Sequence, residues 1–282
     1  MTASRSSLFQ SVQRWIAGEA RIKSAVLFGS TANTDRAETA ADQWSDFDLH
    51  LVVTAPREFP RIEWSTALPD EEFRFQALRP ATGGVQKLTV VFAGGQMDLI
   101  LVPHGQMAWA RLGFKCGWEK RSPRLLTALN EIHTCLRGGY QFLKGEGSVG
   151  SFYRRVSTEM SGVRLSDAEA SALAKIAWLD LHWIRQKIER GEWLAAQHGL
   201  HRSVGETNLR LVRELRLRRG EPLPSFGLGR HVESLLSPEE RTWVTIDTRC
   251  TAEGLRSAAN RAEQGLVALM AALVPSWSAP SF

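Results

Sequence analysis

Asp46 and Asp48 stand two residues apart at the start of the apolar run Phe47 to Val53, and Asp98 opens a second run of the same kind, Leu99 to Val102. In an extended strand residues i and i+2 leave the same face, so Asp46 and Asp48 point together. Asp98 has the same place relative to its apolar segment as Asp48 has to Leu49–Val53. If the two runs are neighbours, three carboxylates meet at one edge of a sheet. Such a cluster repels itself unless a cation neutralises it, and oxygen-only ligation with open positions suits Mg²⁺ carrying the phosphates of a nucleotide. In a two-metal arrangement about 4 Å wide, one ion holds the triphosphate and the other lowers the pKa of the attacking hydroxyl. Upstream, Gly29-Ser30 directly follows the apolar run Ser24 to Phe28. A glycine there lets backbone approach closely, and backbone N–H groups with the Ser30 hydroxyl suit the β- and γ-phosphates.

The elements that must position these residues follow from periodicity. Ser6 to Ala20 carries Leu8, Phe9, Val12, Trp15 and Ile16 at helical spacing. Ser24 to Phe28 reads as a buried strand stopped by Gly29, residues 31 to 45 as a polar loop with room for a helical turn, and Phe47 to Val53 as a strand. Phe59 to Trp64 fits a strand or a short helix, and Phe73 to Leu78 alternates at period two. Gln86 to Phe92 and Gln96 to Val102 flank Ala93-Gly94-Gly95, which predicts a hairpin. Beyond Gly105 the spacing turns helical, over Arg124 to Leu143, Asp167 to Gly191, Val204 to Arg219 and Thr251 to about Ala272, with a capping box at Ser166 and Glu169. The reading is therefore an α+β chain: a mixed-sheet catalytic domain over residues 1–110 and an all-helical domain over 111–282, with a soft boundary between 104 and 123.

At 282 residues the chain has room for two modest domains, and 43% hydrophobic with 23% charged residues excludes a fibrous or low-complexity design. Cys116, Cys135 and Cys250 are an odd number without C-x-x-C spacing, which fits a reducing compartment rather than a disulfide framework or zinc site. The N-terminus lacks the apolar core of a secretory signal, and the tail Gly265 to Pro275 falls short of the ~20 residues a membrane span needs, so the expected setting is cytoplasmic with no membrane partner. The net charge of +5 is uneven: residues 185 to 219 hold nine basic and four acidic side chains, which equals the whole excess. A polyanion-binding surface and a solvated helix face both fit that stretch.

Phe28-Gly29-Ser30, Asp46-Phe47-Asp48-Leu49 and Asp98 together resemble the signature of the nucleotidyltransferase superfamily that includes DNA polymerase beta. Within it, Gly29-Ser-Thr-Ala-Asn33, Ser45-Asp-Phe-Asp48 and Met97-Asp-Leu-Ile-Leu-Val-Pro103 are similar to segments of the bacterial aminoglycoside 6-adenylyltransferases, also called streptomycin adenylyltransferases. The resemblance covers residues 24 to 103 and thins beyond them. It departs from the pattern at Thr31, where family members carry a basic residue, and its spacer between Gly-Ser and the aspartates is longer than the commonest form. It implies transfer of AMP from ATP with Mg²⁺ as cofactor, Asp46, Asp48 and Asp98 as metal ligands and catalytic carboxylates, and Gly29 and Ser30 as the nucleotide-binding turn. The partners it implies are a nucleoside triphosphate and a hydroxylated small molecule, an aminoglycoside among the candidates. RNA or protein as acceptor, and a non-catalytic nucleotide-binding regulatory module, are the alternatives.

Related enzymes place an acidic residue on the helical domain to orient or deprotonate the acceptor hydroxyl. Asp180, within Ala177-Trp-Leu-Asp-Leu-His-Trp183, is the candidate here, with Glu159 and Glu131 as rivals. His50 shares a strand face with Asp48 and is either site-lining or structural. Trp44 is either a base-stacking ring or a loop anchor, and Asn33 suits a local turn better than a nucleotide contact.

Overall fold

The computed structural model describes residues 3–32, 45–162, 164–221 and 232–280, so Asn33 and Trp44 lie outside the described residues. Two units divide the chain, Met1–Val163 and Arg164–Phe282.

The first unit opens with helix α1 (Ala3–Gly18) and strand β1 (Ile22–Phe28), which ends in a single helical turn, Gly29–Thr31. Strand β2 (Phe47–Val53) is followed by the short helix α2 (Trp64–Ala67), then by β3 (Phe73–Pro80), β4 (Gln86–Phe92) and β5 (Gly95–Pro103). Helices α3 (His104–Lys115) and α4 (Pro123–Leu136), strand β6 (Tyr140–Lys144) and helix α5 (Glu146–Glu159) complete it. The six strands form one sheet in the order β3-β4-β5-β2-β1-β6. Only β2 and β5 are parallel; the other neighbours are antiparallel, so the sheet is mixed as expected.

Both faces of the central strands are covered, each by residues at period two. Leu27, Leu49, Leu51, Leu99 and Leu101 form one core with Leu8, Val12 and Ile16 of α1. Val26, Val52 and Val102 turn the other way and join Met107, Phe114, Leu129 and Val156 from α3, α4 and α5. Burying a Leu or Val side chain fully is worth roughly 1.5–3 kcal/mol, so a one-residue slip of β2 would exchange both cores at once. The register is thereby fixed at the place where the aspartates sit.

The regular elements among the second unit's described residues are all helical: α6 (Asp167–Glu189), α7 (Trp193–Gly199), a π-helical segment Leu200–Gly205, α8 (Glu206–Arg219), the short α9 (Val232–Leu235), α10 (Pro238–Val244) and α11 (Ala252–Leu273). Ala170, Ala174, Ala177, Leu181, Ile184 and Ile188 repeat along one face of α6, and Leu255, Ala259, Ala262, Leu266 and Leu269 along one face of α11. The Ser166–Glu169 capping box is present at the start of α6. No described helix is long and apolar enough to cross a membrane.

Three expectations need correction. The expected helix Arg124–Leu143 ends at Leu136, because Gly138-Gly139 breaks it (Gly139 has φ +106°) and Tyr140–Lys144 pairs with β1. Helix α5 was not anticipated. For these reasons residues 111–163 belong with the sheet: α3, α4 and α5 bury their apolar faces in its second core, and the boundary falls at 163 rather than 110.

Candidate metal centre and nucleotide site

Asp48 and Asp98 are direct partners in the parallel pairing of β2 with β5, so both side chains leave the same face of the sheet. Asp46 lies two residues before Asp48 and joins them. One ligand oxygen from each of the three carboxylates falls within 4.8 Å of the others, with Asp98 buried and the other two half-buried. The donor set is all oxygen, and it is the only group of three or more potential ligating side chains of this kind among the described residues. Hard divalent cations such as Mg²⁺ take such ligands.

The electrostatics fit the same reading. Burial first, and then the charges of Asp46 and Asp98, push the Asp48 carboxyl up to about 7. Asp46 is raised as well, by burial first and then by Asp98. Without a cation, these carboxyls resist ionising together. Lys87 of β4 supplies the counter-charge: its Nζ is paired with Asp98 Oδ2. Asp98 is held on its other oxygen by the Thr89 hydroxyl at 2.6 Å and, more weakly, by Gln96 Nε2 at 3.4 Å. Thr89 in turn accepts from Arg79 at 3.1 Å, which orients its single proton toward Asp98.

Gly29 has φ +77°, the left-handed region that glycine enters without penalty, and a Cβ at that position would stand 2.7 Å from Asp48 Oδ2. The turn is therefore closed down onto the carboxylate. Thr31 ties it to the incoming strand by donating its hydroxyl to the Asp46 carbonyl at 2.8 Å. Ser30 sits half-buried in the middle of that turn.

His50 is buried on the face that carries Asp48. Its Nδ1 is hydrogen-bonded to the Tyr153 hydroxyl, and burial lowers its pKa to about 4, so it is neutral at physiological pH. Burial also raises the Tyr153 phenol, and this pair anchors α5 to the sheet. Cys135 of α4 is pushed up to about 12, by burial and then by the charge of Asp48, which makes it an unreactive thiol beside the carboxylates.

Asp180 belongs to the second unit, on α6, where the Ser203 hydroxyl donates to its Oδ2. It lines a cavity of about 390 Å³ with Trp183, His198, Arg202, Glu206 and Arg210. Its two rivals lie in the first unit, where Glu159 forms a surface pair with Arg155 at 2.7 Å and Glu131 lies on α4. The basic stretch is largely consumed within its own unit: Arg216 is buried against Glu240 at 2.7 Å, Arg218 bonds Glu214 and Asp167, Arg185 bonds Glu263, and Lys187 pairs with Glu192.

Sequence reasoning missed Lys87, Thr89 and Arg79. The signal was present in Gln86-Lys-Leu-Thr-Val90, where polar residues two apart interrupt an apolar strand, but only the hairpin register Thr89↔Asp98 gives it meaning.

No protein-family model matches the chain, and no curated protein does. Among solved structures it is similar to an aminoglycoside 6-adenyltransferase from Bacillus subtilis, at 13% identity over 99% of this chain and 94% of that one, with a TM-score of 0.41. A nucleotidyltransferase-like protein from Exiguobacterium sibiricum 255-15 matches at 12% identity over 95% of this chain and 76% of that one, with a TM-score of 0.32. At this distance neither match bears weight, and the functional reading rests on the site itself.

Proposed function

We propose that this protein is a divalent-metal-dependent nucleotidyltransferase that moves AMP from ATP to a hydroxyl of a small molecule and releases pyrophosphate. The observation that carries this reading is the Asp46, Asp48 and Asp98 cluster with the Gly29-Ser30 turn closed against it. A binding module has little need for three carboxylates crowded into one cluster. Mg²⁺ would be held by these three residues, and when bound it neutralises phosphate charge and makes a coordinated hydroxyl more acidic.

The remaining tasks fall to the chain. Asp98, fixed by Lys87, Thr89 and Gln96, is a pre-oriented ligand, and Asp48, with a pKa near 7, is readily ionised once its neighbours' charge is neutralised. The Gly29–Thr31 turn presents backbone N–H groups and the Ser30 hydroxyl to the triphosphate. Asp180 is assigned to the acceptor, orienting or accepting the proton of its hydroxyl from the wall of the cavity in the helical unit. That cavity mixes Asp180 and Glu206 with Arg202 and Arg210 around Trp183, which suits a compact polyhydroxylated molecule. An aminoglycoside is the acceptor named by the sequence resemblance. A nucleic-acid acceptor is less favoured, because Arg185, Arg216 and Arg218 of the stretch that suggested it are paired with carboxylates of their own unit.

The test is incubation with each labelled nucleoside triphosphate and Mg²⁺ alongside aminoglycoside, RNA and protein fractions, followed by mass analysis. Transfer of AMP to a small molecule is expected. No transfer from any triphosphate to any fraction by folded protein would overturn the reading.

A further inference from the structure

A second cavity, of about 250 Å³, lies on the same face of the sheet as the carboxylates but at the other end of β2. Val52 forms part of its floor, four residues beyond Asp48, which places it about 13 Å along the strand at roughly 3.3 Å per residue. Its polar lining is Lys23, Ser24, His104, Arg111 and Ser148, and no acidic residue is among the described residues that line it.

Helix α3 presents His104, Met107, Ala108 and Arg111 to the cavity, the i, i+3, i+4, i+7 spacing of one helix face. Arg111 forms no ion pair with the described residues, and Lys23 Nζ reaches only the carbonyl of Ala20, at 3.2 Å. The N-terminus of α5 supplies the opposite wall. It is pressed onto β1 by Gly145, at φ +71°, where a Cβ would stand 2.3 Å from the Lys23 carbonyl oxygen and 2.9 Å from Ser24 Cβ. Ser148 donates its N–H and its hydroxyl to the Gly145 carbonyl, at 3.1 and 2.8 Å, which leaves the N–H groups of Glu146 and Gly147 at the helix end to carry its positive partial charge. The acidic residue of the turn, Glu146, is paired with Arg154 at 3.0 Å.

Ser24 supplies the independent observation. It is fully buried, it lines the cavity, and its hydroxyl has no hydrogen-bond partner among the described residues. A hydroxyl buried without a partner is costly, and a bound ion is one way in which such a group is satisfied.

We propose that this cavity binds a phosphoryl group, as free phosphate or as the head of a small phosphomonoester, at a site separate from the carboxylate cluster. Arg111 and Lys23 supply the charge, the first turn of α5 supplies backbone donors, and the Ser24 hydroxyl donates to one phosphoryl oxygen. Nothing in this assignment depends on nucleotidyl transfer.

The test is calorimetric titration of the full-length protein with inorganic phosphate in EDTA, at constant ionic strength held with chloride. Chelation leaves the carboxylate cluster repulsive to anions, and the Asp46→Asn, Asp48→Asn double variant is expected to bind phosphate as the wild type does. One saturable site is expected, weakened at least tenfold in Arg111→Gln and in Lys23→Gln. Ser24→Ala is expected to weaken binding as well, while raising the melting temperature of the phosphate-free protein by removing the unpartnered hydroxyl. A purely structural serine would not give that pair of results. Glycerol phosphate binding more tightly than phosphate would identify a phosphomonoester as the ligand, and equal affinity would identify the free ion. Absence of saturable binding by folded wild type, or binding unchanged in both charge variants, would overturn the proposal.

Discussion

Gly29 and Asp48 are fitted to one another: the carboxylate oxygen Oδ2 lies where a Cβ on residue 29 would have to go, 2.7 Å away. The two are brought together by register, since Phe28 pairs with Asp48 across β1 and β2. Any side chain at 29 therefore has two costs, about 1–2 kcal/mol for the left-handed backbone and the displacement of a ligand carboxylate. Gly29→Ala is expected to lower nucleotidyl transfer by at least ~10-fold and the melting temperature by several degrees. Ser30→Ala should cost only about 1 kcal/mol of ATP binding. Calorimetry with ATP and Mg²⁺ beside thermal melts checks both.

Asp46→Asn and Asp48→Asn are each expected to reduce transfer by at least ~10²-fold, because each removes ligand charge with little change of shape. Both variants should fold. Near-normal turnover in the two together would remove the metal assignment.

The Asp48 carboxyl is raised to about 7, so it is protonated in the metal-free fold where the unfolded chain has already ionised. The unfolded state binds fewer protons across that interval, and stability therefore falls as pH rises from about 4 to about 7. Melting in EDTA should show this decline. Asp48→Asn should flatten it and should be the more stable protein at pH above 7, and Mg²⁺ should raise the wild-type melting temperature more above pH 7 than below pH 6. A stability that rises with pH through the same interval in EDTA, unchanged in Asp48→Asn, would contradict the burial and crowding described for this residue.

Lys87 is the counter-charge to Asp98 when no metal is bound. Lys87→Met is expected to destabilise the protein in EDTA by more than it does in saturating Mg²⁺, since the cation takes over the neutralisation. Equal losses in the two conditions would mean that Lys87 acts only through packing.

Arg216 is buried with Glu240 at 2.7 Å and also bonds Glu221 at 3.0 Å. Arg216→Gln should cost roughly 3–5 kcal/mol, the usual penalty for leaving one member of a buried pair alone. Arg202 and Arg210, which are exposed, should change stability by no more than ~0.5 kcal/mol when replaced by Gln. RNA titrations across a salt series therefore belong on the Arg202 and Arg210 variants; no binding at low salt by wild type removes an RNA acceptor.

What was legible in the sequence is what local periodicity encodes. β2 and β4 were read at their observed bounds because apolar alternation and the Ala93-Gly94-Gly95 turn determine them, and the carboxylates followed because Asp48 and Asp98 lie on such strands and Asp46 immediately precedes one. β6 was illegible for the converse reason. Gly138-Gly139 marks the end of the preceding helix, but Tyr140–Lys144 is a five-residue, mostly half-buried edge strand whose partner β1 lies far away in the chain, so no local pattern identifies it as a strand. Lys87 and Thr89 were overlooked because their role exists only across the hairpin, opposite Asp98.

Lys144 donates its ammonium to the carbonyls of Ile16, Ala17 and Glu19, closing the C-terminal end of α1 across a separation of 128 residues from Ile16. On the ribosome this closure comes late. Helix α1 and β1 emerge well before β6, yet one edge of β1 stays open, and the carbonyls ending α1 stay without their lysine, until β6 has left the exit tunnel. The first unit is thus closed by joining an early piece to a late one, and a nascent chain paused before residue 144 presents an unpaired strand to whatever chaperone or neighbouring chain is at hand.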